Sequence, residues 1–251
     1  MFARTMPTPS LVSGVDANLA RSAALALEVI RRDGPQTRPA LAATMGLGRT
    51  ALTQRLTVLQ EAGLVMEGEY GESTGGRNPR LLRFNASAGL ILGLELGATS
   101  FTVGATDLAG NVLALSNAVQ EIAAGPELVL SRAEKVLRDL LAEADLLEEN
   151  VWGVGVGLPG PVEYATGRPS EPPIMPGWDN YPVRERLTAA FQAPVWVDND
   201  ANVLALGELR SSRELRDQDF IYVKVGTGIG AGLVSTGQLH RGAQGLSLIH
   251  I

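Results

Sequence analysis

The feature that most constrains the fold of this chain is a change in hydrophobic periodicity near residue 90. Up to about residue 63, apolar residues recur every three to four positions, which is typical of amphipathic helices. From "LILGLELGATSFTVGATDLAGNVLA" onward they alternate with other residues, and glycines interrupt the runs, which indicates β-hairpins. The sequence therefore predicts a mainly helical head followed by a body built on strands.

Three helices are predicted in the head. The first lies in "VDANLARSAALALEVIRRDGPQ", with Asp16 as its N-cap and "DGP" as its end. The second is "TRPALAATM", with Thr37 at the N-cap and Pro39 in the first turn. The third is "RTALTQRLTVLQEAG", which ends at Gly63 as a C-cap glycine.

The second and third helices have the spacing of a helix-turn-helix. Ala42 is the small residue at the helix crossing, Gly46 allows the tight turn, and Leu52 anchors the third helix. The opposite face of the third helix is polar without acidic residues, as suits a helix in the major groove of double-stranded DNA. The candidate DNA-binding residues on that face are Arg49, Thr50, Thr53, Gln54 and Thr57.

Two short strands are predicted after these helices, "LVMEGEY" and "RLLRF", around the loop "GESTGGRNP". The loop is glycine-rich and carries Arg77 at its tip, which fits a wing that contacts phosphates or a minor groove. We therefore predict a flexible N-terminus (1–16) and a winged helix-turn-helix DNA-binding domain (17–86). The alternative is a generic three-helix bundle with a hairpin.

The charge distribution agrees with a DNA-binding head on an acidic sensor. Residues 1–90 carry 10 arginines against 7 acidic residues, whereas the remainder carries 11 basic against 20 acidic residues. Ordinary charge scatter is the alternative. With neither a signal-like apolar segment nor the roughly 18 apolar residues that a membrane helix needs, we expect a cytoplasmic location and no membrane partner. The absence of cysteine excludes disulfides and thiolate metal sites within this chain.

Glycine-rich motifs of the body have two possible interpretations each. "GVGLPG" satisfies the dinucleotide-binding pattern, but Pro159 and Pro161 argue for a loop where that pattern needs a helix, so we reject it. "GTGIGAG" could cradle a phosphate through Gly226, Thr227 and Gly228, or it could form a tight turn. The stretch around this motif, "FIYVKVGTGIGAGLVSTGQLHRG", has the same order of strands and glycine turns as the hairpins after residue 90, which suggests two related halves.

The stretch "VDNDAN" places Asp198, Asn199 and Asp200 directly after the apolar run "APVWV". One interpretation is a carboxylate that binds a ligand or acts as a base. The other is that Asp198 or Asp200 caps the helix "ANVLALGELR". One residue could do both.

Taken together, the motifs resemble those of the ROK family, specifically its transcriptional regulators of the NagC/Mlc/XylR type. The resemblance rests on "GGRNPRLLRFN", "LGLELGAT", "GLPGPV", "PPIMPGWDNYPVRERL", "VDNDANVLALGE", "VGTGIGAG" and "GQLHRGAQG" in that order. It implies an α/β actin-like, ribonuclease-H-like domain of the sugar-kinase type over 87–245, with its second lobe incomplete. Asn199 and Asp200 match the pair that contacts sugar hydroxyls, and the aspartate is the catalytic base in kinase members.

The first glycine hairpin departs from the kinase pattern of this family. Where kinases show an aspartate, two glycines and Thr-Lys, this chain has Glu95, Gly97, Ala98, Thr99 and Ser100. Gly97 and Thr99 remain candidate phosphate-binding residues, but the changes make ATP use doubtful, and no cofactor is evident. We therefore predict a sugar-responsive repressor rather than an enzyme, with an ATP-dependent hexose kinase as the alternative.

The resemblance also implies partners and missing parts. A sugar or phosphosugar effector and a homodimer or tetramer are expected, with a partner protein as a further possible effector. We expect residues 246–251, "LSLIHI", to be adapter read-through, and the family's zinc site and the rest of the second lobe to follow in the natural protein. The shortened second lobe should therefore expose apolar surface.

Overall fold

The computed structural model describes residues 16–70, 80–212, 214–215 and 218–241. The chain forms two compact units, Met1–Gly89 and Leu90–Ile251, which we call the head and the body. Within the described residues, no helix is both long and apolar enough to cross a membrane.

In its described residues, the head contains three α-helices and a small antiparallel sheet. In chain order the elements are α1 (Ala17–Asp33), β1 (Gln36–Thr37), α2 (Arg38–Met45), α3 (Arg49–Glu61), β2 (Val65–Tyr70) and β3 (Arg80–Phe84). The strand order is β1-β3-β2. The pairing of β1 with β3 was not predicted, because a two-residue strand leaves no periodic pattern. The described residues do not include Arg77 and the loop around it.

The helix ends of the head follow the predicted capping chemistry. The Asp16 carboxylate accepts hydrogen bonds from the backbone N–H groups of Asn18 at 2.9 Å and Leu19 at 3.1 Å. The Thr37 hydroxyl accepts one from the Ala40 N–H at 3.2 Å. Gly46 ends α2 in the left-handed conformation, with φ of 62°, as its sharp turn requires. The predicted boundaries of α1 and α2 are therefore confirmed.

The body is built on two sheets. The first has the strand order β10-β7-β4-β5-β6. The pairs β10–β7 and β7–β4 are parallel, and the pairs β4–β5 and β5–β6 are antiparallel. Its strands are β4 (Leu90–Leu96), β5 (Ser100–Asp107), β6 (Val112–Val119), β7 (Val151–Leu158) and β10 (Val195–Asn199). The second sheet is antiparallel and consists of β11 (Phe220–Val225), β12 (Ile229–Ser235) and β13 (Gln238–His240).

Three helices and one small hairpin complete the described body. They are α4 (Pro126–Glu143), β8 (Val162–Glu163), β9 (Arg168–Pro169), α5 (Val183–Phe191) and α6 (Asp200–Ser211). Helix α4 packs against β5 and β6, and α5 packs against β10. Trp178 is fully buried in this core and donates its indole N–H to the Ile122 carbonyl at 3.1 Å. Since β7 runs into a loop and β8, no helix follows "GVGLPG", and rejection of the dinucleotide-binding interpretation is confirmed.

Glycines allow α6 to pack closely against a strand of each sheet. A Cβ on Gly157 of β7 would lie 3.3 Å from the Asp200 Cα. A Cβ on Gly232 of β12 would lie 2.6 Å from the Ala205 Cβ and 2.7 Å from the Ala201 carbonyl oxygen. Side chains at these positions would push the helix away. The glycines of "GVGLPG" and "GTGIGAG" thus partly serve helix packing.

One face of the second sheet is apolar and exposed. Ile221, Val223 and Val225 of β11 are 60%, 55% and 74% exposed, and Ile229 is 72% exposed. The other face of β11 carries Phe220 and Tyr222, which pack with a small cluster on α6.

Candidate functional site

A cleft of about 440 Å³ lies where the start of α6 meets the glycine turns of both sheets. Its polar side is formed by Glu95, Asn199, Asp200 and Lys224. Its apolar lining includes Pro159, Pro161, Pro173 and Ile174, which we call the apolar wall. The turns contribute Gly97, Ala98 and Ser100 from the first sheet and Gly226, Thr227 and Gly228 from the second. Such a mixture of apolar wall and a few convergent polar groups is typical of small-molecule sites.

Asn199 is the N-cap of α6. Its side-chain oxygen accepts from the Ala201 N–H at 3.0 Å, and its amide nitrogen donates to the Gly160 carbonyl at 3.0 Å. The interpretation in which Asp198 or Asp200 is the N-cap is therefore wrong: α6 begins at Asp200, one residue after its cap. Asn199 is held rigidly at the cleft, with one oxygen lone pair left for a ligand.

Asp198 belongs to the framework around the cleft. One of its carboxylate oxygens accepts from the Asn199 N–H and the Asn202 amide, both at 2.8 Å. The other accepts from the Arg241 Nε at 2.8 Å, and the Arg241 guanidinium lies 3.8 Å from the centre of the Tyr164 ring. The side chain of Asp198 is 6% exposed. These contacts use the carboxylate for structure, so that the two acidic residues of "VDNDAN" have different roles.

Asp200 is buried but reaches the cleft through its carboxylate. Its Oδ1 accepts from the Ala201 N–H at 2.8 Å, within the first turn of α6, where the helix dipole favours a negative charge. Its Oδ2 accepts from the Lys224 Nζ at 2.7 Å. The same ammonium donates to the Glu95 Oε1 at 2.6 Å. Glu95, Lys224 and Asp200 therefore form a three-member ion cluster, which we call the ion triad.

Lys224 was missed by the sequence analysis, although a signal existed. In "FIYVKV" residues alternate between the two faces of β11, and Lys224 shares the helix-facing side with Phe220 and Tyr222. A charged residue on an inward face needs a partner. The alternation does not predict which residues pair with Lys224, because these partners, Glu95 and Asp200, come from β4 and α6.

The charge of Lys224 follows from these contacts. Partial burial on its own would lower the pKa of the lysine, but hydrogen bonds from its ammonium to Asp200 and Glu95, and their negative charges, raise the pKa above its ordinary value. The lysine is therefore an ammonium at neutral pH. Its hydrogen bonds to the two carboxylates are charge-assisted and therefore stronger than bonds between neutral groups.

The glycine turns present backbone to the cleft in a limited way. The Gly97 N–H donates to the Ser100 carbonyl at 2.8 Å and the Gly226 N–H to the Gly228 carbonyl at 2.9 Å, so both amides are used inside their turns. Side chains at Gly226 and Gly228 would meet no atom within 4 Å, and neither residue is left-handed. Glycine there leaves bare backbone at the cleft. Thr99 lies in the first turn, where its carbonyl accepts from the Gln120 N–H.

The candidate DNA-binding residues of α3 are all exposed. The Thr53 hydroxyl donates to the Arg49 carbonyl at 2.9 Å, and the Thr57 hydroxyl donates to the Thr53 carbonyl at 3.1 Å. Both hydroxyl oxygens keep their acceptor lone pairs. Among the residues that the structure describes, no group of Asp, Glu or His side chains is arranged to hold a metal ion.

The sheet order, the second antiparallel sheet and the cleft beside α6 define an actin-like fold of the sugar-kinase type. Residues 91–248 match the model of the ROK family, and the chain belongs to that family.

Comparison with known proteins distinguishes the head from the body. The chain is 31% identical over 211 residues to the putative xylose repressor of Caldicellulosiruptor sp. (strain Rt8B.4). This alignment covers 84% of the chain and 53% of the repressor. A crystal structure of a ROK family transcriptional regulator, a homolog of the E. coli MLC protein, has a TM-score of 0.75 at 24% identity. It covers 92% of this chain and 58% of that one. The ROK hexokinase from Thermus thermophilus has a TM-score of 0.54 at 30% identity and covers 63% of this chain and 51% of its own.

The chain spans about half the length of the curated relatives it matches. Because the repressor alignment covers 211 residues and the body runs only from Leu90 to Ile251, that alignment must include part of the head. The hexokinase structure covers 63% of this chain, and the body alone is long enough to account for all of that match.

Proposed function

We propose that this chain belongs to a sugar-responsive transcriptional repressor, in which the head binds DNA and the body binds the effector. The observation that carries the proposal is the extent of the similarity to xylose repressors, which includes the head. Regulators and kinases of the family both match the body. The head is therefore the part that distinguishes the two classes.

The head is proposed to be a winged helix-turn-helix that reads DNA with α3. Support comes from the left-handed turn at Gly46 and from the exposed face of α3, which offers Arg49, Gln54 and three threonines, while its acidic residue, Glu61, is the last residue of the helix. Arginine and glutamine are well suited to base edges in the major groove. Arg77 in the expected wing stays a prediction from sequence. A dimer would present two such helices to a pseudo-palindromic operator.

The body is proposed to bind a sugar in the cleft. Asp200 would accept hydrogen bonds from hydroxyl groups, Asn199 would contribute its free lone pair, and the proline and isoleucine wall would cover the C–H face of the ring. The ion triad carries two carboxylates and one ammonium. Since this net negative charge disfavours a phosphate nearby, an uncharged sugar is the better candidate than a phosphosugar.

A second candidate function is an ATP-dependent hexose kinase, which the similarity of the body to the Thermus thermophilus hexokinase favours. Against it stand the ammonium of Lys224 on the carboxylate that would be the base, and the closed amides of Gly97 and Gly226. A coupled assay with ATP and a panel of hexoses distinguishes the two. Sugar-dependent release of ADP, lost in the Asp200→Ala variant, would favour the kinase.

The repressor proposal is tested by selecting DNA ligands for the chain from a random double-stranded library. Selection should enrich a sequence motif, and Arg49→Ala should weaken binding to it and reduce the salt dependence. Arg132→Ala, which changes an exposed arginine of the body, is the matched control and should leave DNA affinity unchanged. A sugar from the panel should release the DNA, and Asp200→Ala should abolish this release while DNA binding persists. Failure to enrich any motif would overturn the DNA-binding proposal.

A further inference from the structure

The ion triad joins three elements that are distant in sequence. Lys224 projects from β11, while Glu95 lies near the end of β4 and Asp200 is the first residue of α6. Both carboxylates contact the same Nζ, at 2.6 Å and 2.7 Å. Their contacting oxygens are therefore about 5 Å apart at most, a distance at which two negative charges interact strongly.

The surroundings of the triad offer little other compensation. The next carboxylate along the chain, Asp198, is paired with Arg241. Of the strands that contact α6, β7 and β12 contain no ionisable side chain, β10 and β11 add only Asp198 and Tyr222 to the triad residues, and β13 carries His240, which is exposed. Within the described residues, neither Glu95 nor Asp200 has an ion pair with a second cation. The ammonium of Lys224 is thus the counter-ion for both.

We propose that Lys224 is a positioning residue for ligand recognition: its ammonium holds the two carboxylates together as charged acceptors and fixes the Asp200 carboxylate at the cleft. The proposal rests on the proposed function, since it assumes that Asp200 accepts ligand hydroxyl groups. The Ala201 N–H and Lys224 each hold one oxygen of the carboxylate, so that its remaining lone pairs have a defined direction. The ammonium has a third N–H for a ligand oxygen.

Removal of the ammonium has a specific electrostatic consequence. In Lys224→Met, two carboxylates would remain close together, one of them 6% exposed, without a positive charge. Such pairs take up a proton more readily than isolated carboxylates. A proton shared by the pair would occupy an oxygen that otherwise accepts a hydrogen bond from a sugar hydroxyl. Ligand binding in this variant should therefore weaken as the pH falls.

The experiment measures binding of D-xylose, D-glucose and N-acetylglucosamine to the chain by calorimetry between pH 6 and pH 8. Wild type should bind one of these sugars with an affinity that is constant across the range. Lys224→Met should bind it at least tenfold more weakly at pH 6 than at pH 8, and Lys224→Arg should restore the flat profile. Lys135→Met is the matched control, because Lys135 is the other of the two lysines in the sequence and is exposed. A flat profile with wild-type affinity in Lys224→Met would overturn the proposal.

A second measurement is independent of sugar binding. The urea midpoint of Lys224→Met should fall relative to wild type as the pH rises from 6 to 8, because a proton held by the folded pair is then lost. Adding Asp200→Asn to Lys224→Met should remove this dependence. If wild type binds no sugar of the panel, the proposed function fails for those sugars, while these midpoints still decide the role of Lys224. Identical pH dependence in wild type and Lys224→Met would refute that role.

Discussion

Replacing Gly232 by alanine is the most direct test of how the body is assembled. The added Cβ would lie 2.6 Å from the Ala205 Cβ and 2.7 Å from the Ala201 carbonyl oxygen. Carbon atoms in contact are normally about 3.5–4.0 Å apart, so that α6 and β12 would have to separate by roughly 1 Å. One of the two contacted atoms belongs to the backbone and cannot turn away. The strain therefore falls on the packing of the whole helix against the strand.

The magnitude follows from this geometry. Inserting a methyl group into a tightly packed interface costs about 1–3 kcal/mol in the free energy of unfolding. Gly207→Ala is the matched control. Gly207 lies in α6, the helix that Gly232 contacts, is exposed, and would place an added Cβ in open space. There the higher helix propensity of alanine should stabilise the protein by about 0.5–1 kcal/mol. The same substitution should thus have opposite signs at the two positions.

Urea unfolding followed by tryptophan fluorescence measures both variants. All three tryptophans of the sequence, Trp152, Trp178 and Trp196, lie in the body, so that the signal reports this unit alone. The midpoint of Gly232→Ala should be lower than that of wild type and the midpoint of Gly207→Ala higher. A Gly232→Ala midpoint equal to or above that of wild type would contradict the close packing of α6 on β12.

Two further predictions concern local structure. Thr37→Ala removes the N-cap of α2 and should destabilise the head by about 1 kcal/mol, measured by circular dichroism, whereas Thr53→Ala on the exposed face of α3 should not; equal losses would refute the capping role. Asp107 accepts hydrogen bonds from Ala109 and Asn111; partial burial alone would raise its pKa, but these bonds hold it below the ordinary value of 3.8. The stability of the body should therefore decline as the pH falls below 3.8 through this lowered pKa, and Asp107→Asn should flatten the decline in urea midpoint; an unchanged slope would refute it.

Features that depend on neighbouring residues were predictable from the sequence. The caps at Asp16 and Thr37 and the turn at Gly46 follow from side-chain chemistry within a few positions, and the structure has them where the pattern indicates. The strand pairs on either side of the glycine turns were predictable for the same reason. The alternative in which Asp198 or Asp200 caps α6 was wrong, because Asp198, Asn199 and Asp200 are all good N-caps and only the observed start of the helix distinguishes them.

The ion triad could not be predicted, since it depends on the three-dimensional arrangement of two sheets. Glu95 and Lys224 are 129 positions apart, and each belongs to a strand whose local pattern is satisfied without the other. The close packing that brings them together depends on Gly157 and Gly232, which in sequence look the same as turn or phosphate-binding glycines. Only the contact distances show that these two are required by α6.

The triad also bears on how one fold supports both kinases and regulators. A carboxylate that removes a proton from a hydroxyl must have an oxygen free to receive it, whereas a carboxylate that recognises a hydroxyl needs only a fixed direction and a charge. In the proposed arrangement Lys224 supplies that direction and charge balance, and the same contact occupies the Asp200 Oδ2. The motif "VDNDAN" is therefore compatible with either chemistry, and a residue 24 positions later decides which one the aspartate is equipped to perform.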